Sequence, residues 1–258
     1  MHTDKIIHHI VKELNTYCDN AGLKGFVVGV SGGIDSAVTS TLSAKTGKPV
    51  IALNMPILQA KTQDSLSSRH IAWLEKDFPN VQGHRVDLTA AFQALSQTLP
   101  ADIQDALSMA NTRSRVRMLT LYAFATHHRF LVVGTGNKVE DFGVGFFTKY
   151  GDGGVDISPI ADLLKSEVFL LGKSLGIIED IIQAPPTDGL WEDNRTDESQ
   201  IGASYAELEW AMAAEADKET DTLTERQIEV LSIYHRFNAQ NKHKMGPIPV
   251  VKIPDKLR

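Results

Sequence analysis

The stretch Gly25-Phe26-Val27-Val28-Gly29-Val30-Ser31-Gly32-Gly33-Ile34-Asp35-Ser36, running straight into Ala37 to Ala44, decides how this chain reads. An apolar run predicts a strand, the glycines and serines a tight loop, and the residues after it a helix. Glycines let backbone approach a ligand closely. The loop then delivers N–H groups to the positive end of a helix, where an anion is held. Ser31 and Ser36 add hydroxyl donors. Asp35 is out of place in a phosphate cradle, because two anions repel. A Mg²⁺ ion bridging carboxylate and phosphate removes the conflict. The competing reading is a strand-to-helix turn of small residues. The loop also lacks the Gly-Lys-Ser/Thr ending of a Walker A motif.

Outward from this loop the pattern repeats. Ile6, Ile7, Ile10, Val11, Leu14 and Tyr17 recur at helical spacing, which predicts an amphipathic helix over 5–18. Further apolar runs at Pro49 to Met55, Val81 to Leu88 and Phe130 to Thr135 predict strands, with helical stretches at 62–78, 89–98 and 110–127 between them. Strands alternating with helices predict a doubly wound, Rossmann-like α/β fold, a parallel sheet of about five strands with helices on both faces. Such sheets bind ligands beyond the C-terminal ends of their strands. Residues 136–154 are glycine-rich and read as a loop. Ser158-Pro159 reads as a helix N-cap and first helical residue, with the helix running to Leu175 and closed by Gly176. Residues 184–200 read as a mobile loop, 197–216 and 224–238 as helices, and Asn241 to Arg258 as a basic, proline-containing tail. Without repeats or low-complexity tracts, one domain over 1–258 is the simplest division.

Composition narrows the function classes. The formal net charge of -6 over 258 residues argues against a broad nucleic-acid surface. No stretch has the length of a membrane span or the apolar core of a signal peptide, so the expectation is a cytoplasmic protein. Cys18 is the sole cysteine, which excludes an internal disulfide and a cysteine-based zinc site.

Three later blocks carry the chemistry. Gly134-Thr135-Gly136-Asn137-Lys138-Val139-Glu140 follows the last strand. Gly145-Phe146-Phe147-Thr148-Lys149-Tyr150-Gly151-Asp152-Gly153-Gly154-Val155-Asp156 comes next, and then Pro159-Ile160-Ala161-Asp162-Leu163-Leu164-Lys165. With the Ser-Gly-Gly-Ile-Asp-Ser loop, these blocks resemble the ammonia-dependent NAD synthetases, of the N-type ATP pyrophosphatase family. Pro185-Pro186-Thr187-Asp188-Gly189-Leu190-Trp191 and His243-Lys244 are similar to the family's mobile loop and C-terminal contact. The resemblance spans about 30–250 and departs once: the stretch between Glu140 and Thr148 is one residue longer than in many members.

The resemblance implies an adenine nucleotide alpha hydrolase-like fold. It implies amidation of nicotinic acid adenine dinucleotide (deamido-NAD) with ammonia. ATP is co-substrate, and an adenylated carboxylate is the intermediate on the way to NAD, AMP and pyrophosphate. It places ATP on Gly29, Val30, Ser31, Gly32, Gly33, Ile34, Asp35, Ser36, Thr135, Lys165 and Thr187, and Mg²⁺ on Asp35 and Glu140. Deamido-NAD falls to Arg115, Lys149, Asp156, His243 and Lys244, and catalysis to Asp35, Asp156 and Lys165. It also implies a homodimer. Each residue has a plainer reading: a solvated loop acid for Glu140, a backbone-bonded strand residue for Thr135, a turn aspartate for Asp156. Arg115 shares helical spacing with Met118, Leu119 and Tyr122, which predicts a buried guanidinium that needs a partner. Arg117 is its substitute.

Glutamine-dependent members carry an amidase domain with a cysteine nucleophile. The expectation here is free ammonia, with Cys18 a packing or surface residue. The rival readings are another ATP pyrophosphatase, such as a GMP synthetase-type amidating subunit, and a non-catalytic ATP-binding module.

Overall fold

Alternate residues of each strand point to opposite faces of one sheet, and so divide the core in two. In the computed structural model, which describes residues 1–59, 61–187, 190, 196–217 and 223–258, the strands are β1 (Phe26–Gly29), β2 (Val50–Asn54), β3 (Val81–Arg85) and β4 (Leu131–Val133). All pair in parallel, in the order β3-β2-β1-β4, with Phe26 opposite both Val50 and Leu131. Phe26, Val28, Val50, Ala52, Leu131 and Val133 pack on one face, against α1 (Thr3–Asn20), α2 (Ile34–Ala44), α3 (Lys61–Asp77), α6 (Lys165–Ser174) and α7 (Glu179–Ile182). Val27, Ile51, Leu53 and Val132 pack on the other, against residues of α4 (Thr89–Thr98) and α5 (Ala106–His128). This is the expected doubly wound α/β architecture.

The sheet has four named strands where about five were expected. The open edge of β4 is closed by a shorter device. Ile157 forms an isolated parallel bridge to Val133, and the Asp156 carboxylate accepts the Val132 N–H at 2.7 Å. A side-chain oxygen thus takes one ladder position, and no fifth strand is needed to satisfy the edge.

Beyond β4 the structure differs from the expectation in instructive ways. Val139–Val144 is a π-helical turn, where a loop was expected. A π turn is wider than an α turn and holds an additional residue per turn. The helix expected from Ser158 begins only at Lys165. Residues 158–163 instead form tight turns that bury Ile160 and hand the Leu163 carbonyl to Lys138 N–H at 2.8 Å. The Leu164 N–H is then capped by the Glu167 carboxylate at 2.9 Å. The helix expected over 197–216 breaks at Gly202, where φ is +89°, into α8 (Asp197–Ile201) and α9 (Tyr205–Asp217). The last helix, α10 (Glu225–Met245), outruns its expected end at 238. A third apolar cluster joins Val139 and Val144 of the π turn to Leu208 and Ala211 of α9 and to Val230 and Tyr234 of α10. The loop expected over 184–200 falls in part on 188–189 and 191–195, which lie outside the described residues. No described helix is long and apolar enough to cross a membrane.

Candidate active site

Strand order reverses beside β1, so the loops after β1 and β4 diverge and leave a crevice at their C-terminal ends. The cavity found there is lined by Gly29, Val30, Ser31, Gly33, Ile34, Asp35, Ser36, Thr135, Glu140, Lys165 and Thr187, among others. These candidates come from four separate blocks of sequence. Gly32 does not line it; at φ +89° it turns the loop in a conformation that suits glycine.

The loop is held by bonds within itself. Ser36 Oγ accepts the Ser31 N–H at 3.1 Å and donates to the Gly33 carbonyl at 2.9 Å, and Ser31 Oγ accepts the Gly33 N–H at 3.2 Å. Ile34, Asp35 and Ser36 open α2, so their N–H groups have no intrahelical carbonyl and stand free for an anion.

At the floor lies an ion triad. Lys165 Nζ donates to Asp35 Oδ2 at 2.5 Å and to Glu140 Oε1 at 3.0 Å. The lysine side chain is 4% exposed and each carboxylate 16%. Lys165 is the first residue of α6, where the helix dipole opposes a cation. Burial opposes the charge as well, but the two carboxylates outweigh both, and its pKa stands above the ordinary lysine value. Burial pushes the Asp35 carboxyl up, Lys165 draws it down and Glu140 adds to the rise. Without the internal cation two such carboxylates would repel, and one of them would have to hold a proton.

Neighbours orient the pair. Asn137 is fully buried; its Nδ2 donates to Asp35 Oδ1 at 3.1 Å while its Oδ1 accepts the N–H groups of Val139 and Glu140. One amide thus joins the loop after β1 to the start of the π turn. Gly136 makes room beside it, since a Cβ there would run into the Asp141 carboxylate. Asp141 itself is pushed up to about 7, by burial and by Glu140, Asp152 and Asp35.

The structure does not bring the remaining candidates to this cavity. The Asp156 carboxylate is engaged at the sheet edge, accepting Tyr122 OH at 3.0 Å besides the Val132 N–H. Burial, with that carboxylate's charge, holds the Tyr122 phenol well above its ordinary pKa. Lys149 donates to the His243 carbonyl at 3.0 Å, and His243 Nδ1 sits 3.1 Å from the Gln240 carbonyl. Lys244 donates to the carbonyls of Gly145 and Phe147 at 2.6 and 2.7 Å. The expectation of a buried Arg115 is corrected: it is exposed, beside an exposed Leu119, and donates to the Lys149 carbonyl at 3.3 Å. Apolar residues of α5 lie on several sides of the helix, so spacing with Leu119 did not mark its inner face. Arg117 lines the cavity instead, donating to the Met55 carbonyl and to Gln59 Oε1, each at 3.1 Å.

Asp152 and Asp197 are cavity carboxylates that the sequence reading passed over, and Asp152 is the more informative. It lines the cavity, and its Oδ1 accepts Ser114 Oγ at 2.7 Å and the Thr148 N–H at 3.0 Å. Its signal was the run Gly151-Asp152-Gly153-Gly154, glycines crowding one acid.

Hard oxygen donors at Asp35 and Glu140, facing a loop of free N–H groups, suit a magnesium–polyphosphate ligand. Comparison with known proteins identifies the family. The NAD synthase family profile matches residues 6–247. An NH(3)-dependent NAD(+) synthetase of Methanosarcina acetivorans is 35% identical over 260 residues, 98% of this chain and 100% of that protein. Among solved structures, an NMN synthetase from Francisella tularensis is 31% identical with a TM-score of 0.83, covering 99% of each chain. The NH3-dependent NAD synthetase from Campylobacter jejuni is 26% identical with a TM-score of 0.80, covering 98% of this chain and 100% of that one. By loop, triad and full-length likeness, the chain belongs to the NAD synthase family.

Proposed function

We propose that the chain amidates deamido-NAD with ammonia at the expense of ATP, releasing NAD, AMP and pyrophosphate. The observation that carries this is the convergence of Asp35, Glu140 and Lys165 on the cavity that the Ser31–Ser36 loop faces. The free N–H groups at the start of α2 and the Lys165 ammonium neutralise phosphate charge as it develops. Thr135 and Thr187, which line the same cavity, help align the nucleotide. When bound, magnesium would be held by Asp35 and Glu140 and would offset the charge of the triphosphate. Of the acids, Asp152 is the better placed to meet the incoming ammonia, because Asp156 is occupied at the sheet edge. No protein nucleophile is called for.

In this reading the enzyme is a cytoplasmic homodimer. Arg115, Lys149, His243 and Lys244 serve the dinucleotide from the outer side of α5 and the end of α10. The exposed Leu107 and Leu119 on α5 support a second copy there. The test is pyrophosphate release from the pure protein, which should need both ATP and deamido-NAD, turn over continuously only with an ammonium salt, and then rise at alkaline pH as more NH₃ forms. Release with ATP alone, or efficient glutamine use lost in Cys18→Ala, would count against it.

A second reading follows from the structural neighbour described as an NMN synthetase: the same chemistry on the mononucleotide acid. Comparing kcat/KM for the two acids decides between them. Arg115→Ala should weaken the dinucleotide more than ATP, and should do nothing if the mononucleotide is the substrate.

A further inference from the structure

Tyr205 opens α9 and is 6% exposed. It does not line the cavity; it stands behind it. Its hydroxyl donates to Glu140 Oε1 at 2.6 Å, with Asp197 Oδ2 a more distant acceptor at 3.2 Å. Its ring faces Lys165 Nζ, 4.6 Å from the centroid. One side chain therefore touches both the acid and the base of the triad from the protein side. It is itself fixed: its ring packs in the cluster with Val139, Leu208 and Val230, and its N–H donates to Glu198 Oε1 at 2.9 Å.

The direction of these bonds matters. Lys165 and Tyr205 both donate to the same oxygen, Glu140 Oε1. A carboxylate gripped twice through one oxygen cannot turn about its last bond without losing both partners. We propose that Tyr205 is a positioning residue of the reaction: it locks the Glu140 carboxylate with Oε1 toward Lys165, so that Oε2 is the oxygen offered to the metal–nucleotide ligand. This rests on the reading of the cavity as an ATP site. Partners that orient a metal-ligating carboxylate act at a distance from the reacting atoms and still govern metal affinity.

Tyr205→Phe tests this while keeping the ring, its packing and its contact with Lys165. The probe is Mn²⁺ with a non-hydrolysable ATP analogue, followed by electron paramagnetic resonance. The expected result is about tenfold weaker Mn²⁺ binding, a matching loss in kcat and little change in KM for the dinucleotide. In a double-mutant cycle with Glu140→Gln the two losses should not add, because both act through the same carboxylate. A merely structural tyrosine would lower the melting temperature and leave Mn²⁺ affinity alone. Wild-type Mn²⁺ affinity in Tyr205→Phe, or full additivity with Glu140→Gln, overturns the proposal. If the wild-type protein itself holds no Mn²⁺–nucleotide complex, the reading of the cavity fails first and this role fails with it.

Discussion

The loop after β1 and the π turn after β4 supply the two carboxylates of one site, yet they are held in opposite ways. The backbone of the first, Ser31–Ser36, is closed by bonds between residues no more than five apart, such as Ser31 N–H to Ser36 Oγ, although its carboxylate is met by Asn137 and Lys165 from 102 and 130 residues away. The second is tied by α10 from a distance of nearly a hundred residues. Asn238 donates to the Gly143 carbonyl at 2.7 Å, Asn241 to Val144 at 2.8 Å and Lys244 to Gly145 at 2.6 Å, across separations of 95, 97 and 99. Three side chains at a spacing of three thus satisfy successive carbonyls that the end of the π turn leaves open. The loop's backbone is closed from within, whereas the carbonyls at the end of the π turn are satisfied only by side chains of α10.

The largest effect expected is at Asp35. Asp35→Asn keeps the shape of the loop and leaves Lys165 paired to Glu140, so melting should change little while pyrophosphate release falls by about a hundredfold to a thousandfold. Near-normal turnover at limiting Mg²⁺ would remove Asp35 from the metal site and break the pairing of the two regions.

Acid should weaken the sheet side through His70. This residue is fully buried on α3, with Nε2 3.0 Å from Ser40 Oγ and no partner for Nδ1. Burial lowers its pKa to about 4. The unfolded chain takes up the proton first, at about pH 6.5, so stability present above that value is lost as the pH falls towards 4. The loss is up to about 3 kcal/mol. His70→Gln should flatten this part of the stability–pH profile in chemical denaturation; an unchanged profile would assign the acid sensitivity elsewhere.

Asn137 joins the two regions, so Asn137→Ala sharpens the comparison most directly. It frees Asp35 Oδ1 and uncaps two N–H groups of the π turn, which should cost about 2 kcal/mol of stability. Activity should fall as well, because both carboxylates lose an orienting bond. A variant that lost stability alone would mean that Lys165 suffices to align the acids.

The smallest effect belongs to the remote clamp. Asn241→Ala removes one donor from the Val144 carbonyl and should cost about 1 kcal/mol. Hydrogen exchange should rise in the π turn and not in the Ser31–Ser36 loop. Equal exchange in both would show that the regions open together.

Glu140 and Asp152 show where sequence reasoning runs out. Glu140 was legible because it lies just past a strand end, on the same edge as Asp35, in a block that resembles the family. Asp152 and Asp156 stand in one block, and the glycines that crowd Asp152 do not by themselves say which of the two acids faces the cavity. Ser114, on α5, holds Asp152 at the cavity from 38 residues away, while the uncovered edge of β4 claims Asp156. Arg115 and Arg117 pose the same problem on one helix: Arg115 is exposed where burial was expected, because α5 packs on a face that its apolar spacing does not mark.

What the sequence determined by itself are the properties set within a few residues. Apolar runs too short for anything but strands made a parallel sheet, and a glycine loop between strand and helix opened α2 with unbonded N–H groups toward the cavity. What the tertiary structure decided are the bonds between distant blocks. Those are the closing of β4 by a side chain, the π turn, and the meeting of Lys165 with Asp35 across 130 residues and of Tyr205 with Glu140 across 65. Local order follows from backbone sterics and hydrophobic period, which each residue carries with it. The orientation of a buried carboxylate follows from which donors surround it, and that is known only when the chain has packed.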